Sequence, residues 1–354
     1  MLIAILIFFV VILVIVIVHE FGHFIFARLN GIKVEEFGFG FPPKLFGWQG
    51  KESLYSFNLI PLGGFVKIKG EDKEIPEPDS FSAKSIFSRA AILAAGGIFN
   101  ILFGFILLSF LAWRGLPAIS LEDKAGVKNQ VVIMNVLENS PAEKLGLKPG
   151  DILRTGESLN LKTEFSSFSQ VKDFIEKTKG EEIKFVYLRK NKEFQLTAMI
   201  EPEKDKHLGV AMANLSILKE KWYKSPIQGA KITWETIKGT ALGIYTLVKN
   251  LIIREPVLDM IAGPVGIVSI VNYSLGFGVS FILHLAALIS ISIAVINLLP
   301  FPALDGGRIA FLLFEIVLRK PVNQRIAGFV HAVGFSFLII LMLVITYFDI
   351  QRFF

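Results

Sequence analysis

Two histidines and a glutamate, His19-Glu20-Phe21-Gly22-His23, interrupt a run of otherwise apolar side chains. From Leu2 to Val18 every residue is Leu, Ile, Val, Phe or Ala, and the apolar run resumes at Phe24. Ionisable groups at membrane depth are costly, and they are kept for pairing, for lining cavities or for chemistry. On a helix, positions four apart share a face, so both imidazoles can reach one metal ion while Glu20 sits about 100° away. In that geometry two His hold Zn²⁺ and the Glu handles the proton of a water at the metal. The spacing therefore predicts a hydrolytic metal site inside a membrane span.

The elements that must position this site follow from composition. Of 354 residues, 53% are hydrophobic and 19% charged, which puts the chain in the membrane class. There is no cysteine, so disulfides and thiolate ligands are excluded and a metal must use His and carboxylate. The net charge of +6 reads as a topology signal, with no nucleic-acid partner implied. Four segments are long and apolar enough to span: Leu2–Ala27, Ala90–Trp113, Val279–Leu299 and Ala327–Phe348. The first lacks a basic leader, and HEFGH stands where a cleavage site would be needed, so it reads as a retained span.

Lysines 33, 44, 51, 67, 69, 73 and 84 lie in the loop between Arg28 and Arg89, and Arg308, Arg319, Lys320 and Arg325 follow the third span. The positive-inside rule puts both loops in the cytoplasm and both termini outside. His19 then lies about 26 Å along the helix from Leu2, toward the cytoplasmic end. A third ligand should come from the same end of another span. Asp305 fits, following the third span in Asn297-Leu298-Leu299-Pro300-Phe301-Pro302-Ala303-Leu304-Asp305-Gly306-Gly307. His284 is disfavoured, lying about 32 Å away if the segment is helical.

Between the first two spans, residues 34–69 read as a membrane-associated β-hairpin with short strands around a Gly63-Gly64 turn. An external α/β module runs from about Ala118 to Asn214. Its elements are a strand over 130–137, a short helix over 142–145, a helix over 168–177, and strands over 183–189 and 193–200 joined by Lys190-Asn191-Lys192. Residues 226–253 are amphipathic, with Trp222, Tyr223, Trp234 and Tyr245 suited to a membrane surface.

HEFGH in a first span and Leu304-Asp305-Gly306 in a later one resemble the site-2 protease family of intramembrane zinc metalloproteases. Gly96-Gly97-Ile98-Phe99-Asn100 and Gly263-Pro264-Val265-Gly266 match as well. Ser140-Pro141-Ala142 with Gly146-Leu147-Lys148-Pro149-Gly150-Asp151 is similar to the PDZ pattern of the bacterial RseP group, here with room for one PDZ module. The resemblance implies one Zn²⁺ held by His19, His23 and Asp305, with Glu20 as general base. It also implies substrate contacts at Asn297 and Asn100, and an unwound substrate pairing with the strand around Gly63 and Gly64.

The implied fold is a polytopic α-helical membrane protein with four transmembrane helices, the β-hairpin region and an inserted external PDZ domain. Residues 1–113 hold the first two spans and the hairpin, 114–214 the periplasmic PDZ domain, 215–277 the amphipathic surface segment with GPVG, and 278–354 the last two spans. The expected setting is the bacterial inner membrane, with termini and PDZ domain periplasmic and the site toward the cytoplasm. Expected partners are the lipid bilayer, a membrane-embedded protein substrate, and a peptide or substrate ectodomain at the PDZ domain. Substrates would be anti-sigma-factor-type single-span proteins or remnant signal peptides, cut after a first external cleavage. A proteolytically inactive scaffold fits less well, because HExxH and LDG are both intact. A proton or metal transporter also fits less well, because Leu2–Val18 offers no polar relay.

Overall fold

The computed structural model describes all residues except 72, 121–128, 138–139, 190–191, 200–208, 258–260, 321 and 354. Contacts divide the chain into two compact units. One comprises Met1–Phe110, Pro226–Val271 and Leu285–Phe354, and the other Leu111–Ser225 and Asn272–His284.

In the first unit the apolar run folds as helix α1, Leu2–Leu29. Asn30 ends it: its side-chain amide donates to the Phe26 carbonyl at 2.8 Å, and Gly31 turns the chain at φ +66°. Strands β1 (Val34–Gln49) and β2 (Leu54–Ile68) follow, joined by a tight turn in which Gly50 N–H donates to Ser53 O. The hairpin turn is therefore at 50–53, not at Gly63-Gly64. Instead, β2 bends at the two glycines and crosses from one edge of β1 to the other. Phe37 pairs with Tyr55 on one side and with Val66 on the other. Gly63, at φ +138°, takes a backbone angle that disfavours any side chain. Residues 64–68 thus form an outer strand paired with β1, and 44–49 pair with 54–58 on the far side. Rings stack across the ladder, Phe39 on Phe57 at 4.6 Å and Phe46 on Phe57 at 4.8 Å, the spacing of favourable offset stacks.

Four helices among the described residues are long and apolar enough to cross a membrane. They are α1, α2 (Ile86–Arg114), α7 (Val279–Asn297) and α9 (Gln324–Phe353). Small residues let α2 approach its neighbours. A Cβ on Gly22 would come 2.5 Å from the Ala95 carbonyl oxygen, and one on Gly104 would meet Ile291 at 2.5 Å. Such close approach is how helices pack where lipid removes the hydrophobic drive. Helix α5 (Ser225–Ile253) packs through Gly229 onto Ser109 of α2, and its Thr240 hydroxyl lies 3.1 Å from that of Ser292 in α7. Helix α6 (Pro264–Ser274) begins at the GPVG segment. There Gly266 N–H donates at 2.7 Å to Asp349 Oδ2, a carboxylate only 2% exposed, which caps the helix start from α9. Helix α8 (Asp305–Leu318) completes this unit.

The second unit is a seven-stranded sheet of order β3-β9-β4-β5-β7-β8, with β6 paired to β5. The strands are β3 (Leu116–Ser120), β4 (Gln130–Val136), β5 (Ile152–Glu157), β6 (Lys162–Glu164), β7 (Glu182–Arg189), β8 (Lys192–Met199) and β9 (Val210–Leu218). Helix α3 (Pro141–Lys144) is capped by Ser140 and helix α4 (Phe168–Lys177) by Ser167; both hydroxyls accept a backbone N–H three residues on. Val171, Phe174 and Ile175, on one face of α4, join Ile133, Leu153 and Phe185 in the core. Asp151 of the Gly-Asp segment is buried and accepts both Nε and an NH2 of Arg189, at 2.7 and 2.6 Å. Lys190 and Asn191 of the expected turn lie outside the described residues.

Candidate metal centre

His19 and His23 project from one face of α1, as their spacing requires. The contact at Gly22 brings α2 against that face, and Gly96 leaves room for the rings: a Cβ there would sit 2.5 Å from His23 Nε2 and 2.6 Å from His19 Nε2. The carboxylate arrives from elsewhere in the chain. After α7 ends at Asn297 the backbone turns, Ala303 adopts φ +81°, and α8 starts at Asp305. Both following glycines are sterically required. A Cβ on Gly306 would lie 2.2 Å from the Leu299 carbonyl oxygen, and one on Gly307 would lie 2.2 Å from that of Phe301. The start of α8 is thereby wedged into the preceding turn with Asp305 aimed at the histidines.

Asp305 Oδ2 lies 3.1 Å from His19 Nε2 and 3.5 Å from His23 Nε2, and the two Nε2 atoms are 3.1 Å apart. Bonds of about 2.0–2.1 Å to a tetrahedral Zn²⁺ imply donor–donor separations of about 3.3 Å. The donor set and the space left by Gly96 fit that ion. Among the described residues these three form the one group with metal-ligand spacing. His23 Nδ1–H donates to the Ile92 carbonyl at 2.8 Å, which leaves the Nε2 lone pair free to coordinate.

A cleft of about 400 Å³ opens on the triad, lined by Glu20, the outer strand Phe65–Ile68, and residues 303–305. Gly64 belongs to that strand; a Cβ there would be 3.5 Å from Glu20 Cγ. Gly63 marks the bend in β2. Asn297 is half-buried at the end of α7, and Asn100 is fully enclosed within α2 with its amide against His19. Neither is among the residues lining the cleft. His284 is not part of the triad.

Three further residues line the cleft: Glu71, Arg308 and His331. Arg308 pairs with Glu71 and donates from Nε to His331 Nε2 at 3.1 Å, while Ala303 N–H donates to His331 Nδ1 at 3.2 Å. Arg308 stands three residues after Asp305, hence on the same helix face, which is a signal the sequence carried. Nothing in the sequence pointed to His331 or Glu71.

The profile of peptidase family M50 matches residues 7–341, a stretch that takes in both histidines and Asp305. The chain belongs to peptidase family M50. This is the site-2 protease family, and the chain is a zinc metallopeptidase of the membrane, as the resemblance implied. A Clostridium acetobutylicum protein carrying a zinc metalloprotease name is 34% identical over 344 residues, 95% of this chain and 94% of that protein. The zinc metalloprotease RasP of Bacillus licheniformis is 28% identical over 423 residues, 95% of this chain and 96% of that protein. The regulator of sigma-W protease RasP of Bacillus subtilis is 28% identical over 420 residues, 95% of each.

Proposed function

We propose that His19, His23 and Asp305 hold a single zinc ion and that Glu20 is the general base of an intramembrane endopeptidase. The observation carrying this reading is the convergence of those donors, from two distant chain segments, beside the outer strand 64–68. Zinc bound there supplies Lewis acidity, polarising a scissile carbonyl and acidifying water. Glu20 takes the proton from the attacking water as its oxygen bonds to the carbonyl carbon. It then delivers that proton to the leaving amide nitrogen as the C–N bond breaks. A helical substrate hides its carbonyls, so it must unwind first. Residues 65–68 line the cleft, and an extended substrate would pair along them as an added strand, with Gly64 letting it approach Glu20.

Substrates are single-span proteins of the anti-sigma-factor type, or remnant signal peptides, trimmed by a prior external cut; the RasP relative's sigma-W name supports the former. The β4–β9 unit acts as a single PDZ module. A cavity of about 290 Å³ between α4 and β9, lined by Phe168, Ile175, Val210 and Met212, suits an extended peptide or exposed ectodomain end. The lysine distribution supports the bacterial cytoplasmic membrane as the location, with both termini and this module periplasmic and the metal nearer the cytoplasm.

The test is cleavage of a single-span substrate by the purified protein in lipid, with zinc quantified in parallel. Wild type should bind one zinc and cleave, and a chelator should abolish cleavage reversibly. Asp305→Ala should lose both zinc and activity. Cleavage that persists in Asp305→Ala, or is indifferent to chelation, refutes the proposal.

A further inference from the structure

Asn100 is a polar side chain of α2 whose surroundings packing alone does not explain. It is 0% exposed, one turn beyond Gly96 on α2, and its Nδ2 lies 3.4 Å from His19 Nδ1. Its Oδ1 is buried with no hydrogen-bond partner. The Asn100 backbone carbonyl is already used, accepting from Ser290 Oγ at 2.9 Å. The side-chain amide alone therefore remains to deal with the imidazole.

A neutral imidazole has one N–H. If His19 offers its Nε2 lone pair to a metal, that N–H must sit on Nδ1, where it needs an acceptor. The amide nitrogen cannot accept, so the orientation with Nδ2 against Nδ1 sets donor against donor and strands the oxygen. The two ends of an amide are nearly isosteric. A half-turn about the Cβ–Cγ–amide axis would put Oδ1 against Nδ1–H and satisfy both atoms. His23 provides the precedent within the same site: its Nδ1–H is held by a carbonyl oxygen of the same helix, that of Ile92.

We infer that Asn100 is the positioning residue of His19. Its Oδ1 accepts the Nδ1–H, fixing the tautomer and ring angle that aim Nε2 at the metal, and it makes no contact with the substrate. The inference rests on the zinc reading above. It makes α2 the common outer support of both histidines, one through a backbone carbonyl and the other through a side-chain carbonyl.

The experiment measures the zinc dissociation constant by competition with a chromophoric chelator, alongside kcat and KM for a transmembrane substrate. Asn100→Leu matches the shape and removes the acceptor; zinc affinity should fall about 10–100-fold, the usual cost of losing such an outer partner, with KM unchanged. Asn100→Asp keeps an acceptor and should restore affinity to within a few-fold of wild type. Should Asn100→Leu not fold, Asn100→Ala carries the same expectation. Wild-type zinc affinity in the acceptor-free variants, or an Asp variant as weak as Leu, overturns the inference. A raised KM with unchanged zinc affinity would also overturn it, returning Asn100 to substrate binding. Asp305→Ala, run in parallel, separates the two levels. If it keeps its zinc, the metal reading itself has failed; if it loses zinc while Asn100→Leu does not, only the role of Asn100 has.

Discussion

Replacing Gly96 by Ala adds a single methyl group at the most crowded point of the metal site. That carbon would stand 2.5 Å from His23 Nε2 and 2.6 Å from His19 Nε2, against an ordinary contact of about 3.5 Å. One side must move by about 1 Å. Helix α2 has little room to give way, because it is also seated on α7, where a Cβ of Gly104 would meet Ile291 at 2.5 Å. The imidazoles must therefore swing away from Asp305. Zinc–ligand distances tolerate about 0.2 Å, so a displacement several times larger should cost at least ~100-fold in zinc affinity, or about 2.7 kcal/mol. The same change raises intrinsic helix propensity by about 1 kcal/mol, so a general loss of helix is not the expected cause of failure. Chelator competition and zinc stoichiometry read the effect directly, and cleavage should fall with them. Gly97→Ala is the control. Its Cβ would meet the Leu298 side chain at 3.2 Å, which can shift, so zinc affinity should change by no more than a few-fold. Gly96→Ala protein that holds zinc as tightly as wild type would refute this account of the site.

Glu20→Gln should retain one zinc per chain and lose cleavage by about 10²–10⁴-fold, measured by metal analysis and single-turnover proteolysis. Asp349→Ala removes the acceptor for Gly266 N–H at the start of α6 and should lower thermal stability by about 1 kcal/mol, whereas Asp349→Asn, which keeps an acceptor oxygen, should lose less. Phe174→Ala empties a core position that is 2% exposed in the β4–β9 unit and should destabilise that unit by about 3–5 kcal/mol, read by hydrogen exchange of its amides.

The parts of this molecule that could be read from the chain are those set by local pattern. HEFGH needs only helix periodicity to put two rings on one face, and α4 begins and ends at the predicted Phe168 and Lys177 because a serine cap and an apolar stripe define it. Asp305 followed from depth arithmetic along apolar helices. The Gly63-Gly64 pair was misplaced because glycines mark a turn and a strand bend equally well; only the pairing of β1 on both its edges tells them apart. The ion pair of Arg308 with Glu71, and the seat of His331 between Ala303 and Arg308, join segments far apart in the chain, and no periodicity encodes such meetings. For residues 225–253 the pattern gave amphipathic character, while the identity of the helices meeting Gly229 and Thr240 came from the fold.

The three donors proposed for the metal are far apart in the chain, two in α1 and one at the start of α8. During synthesis the first helix enters the lipid long before Asp305 has been translated, and domains ordinarily assemble as they emerge. A half-made chain thus carries two imidazoles without their carboxylate, and the growing molecule has no competent blade with which to cut its neighbours or itself. On that reading, competence arrives only when α8 has been built and seated.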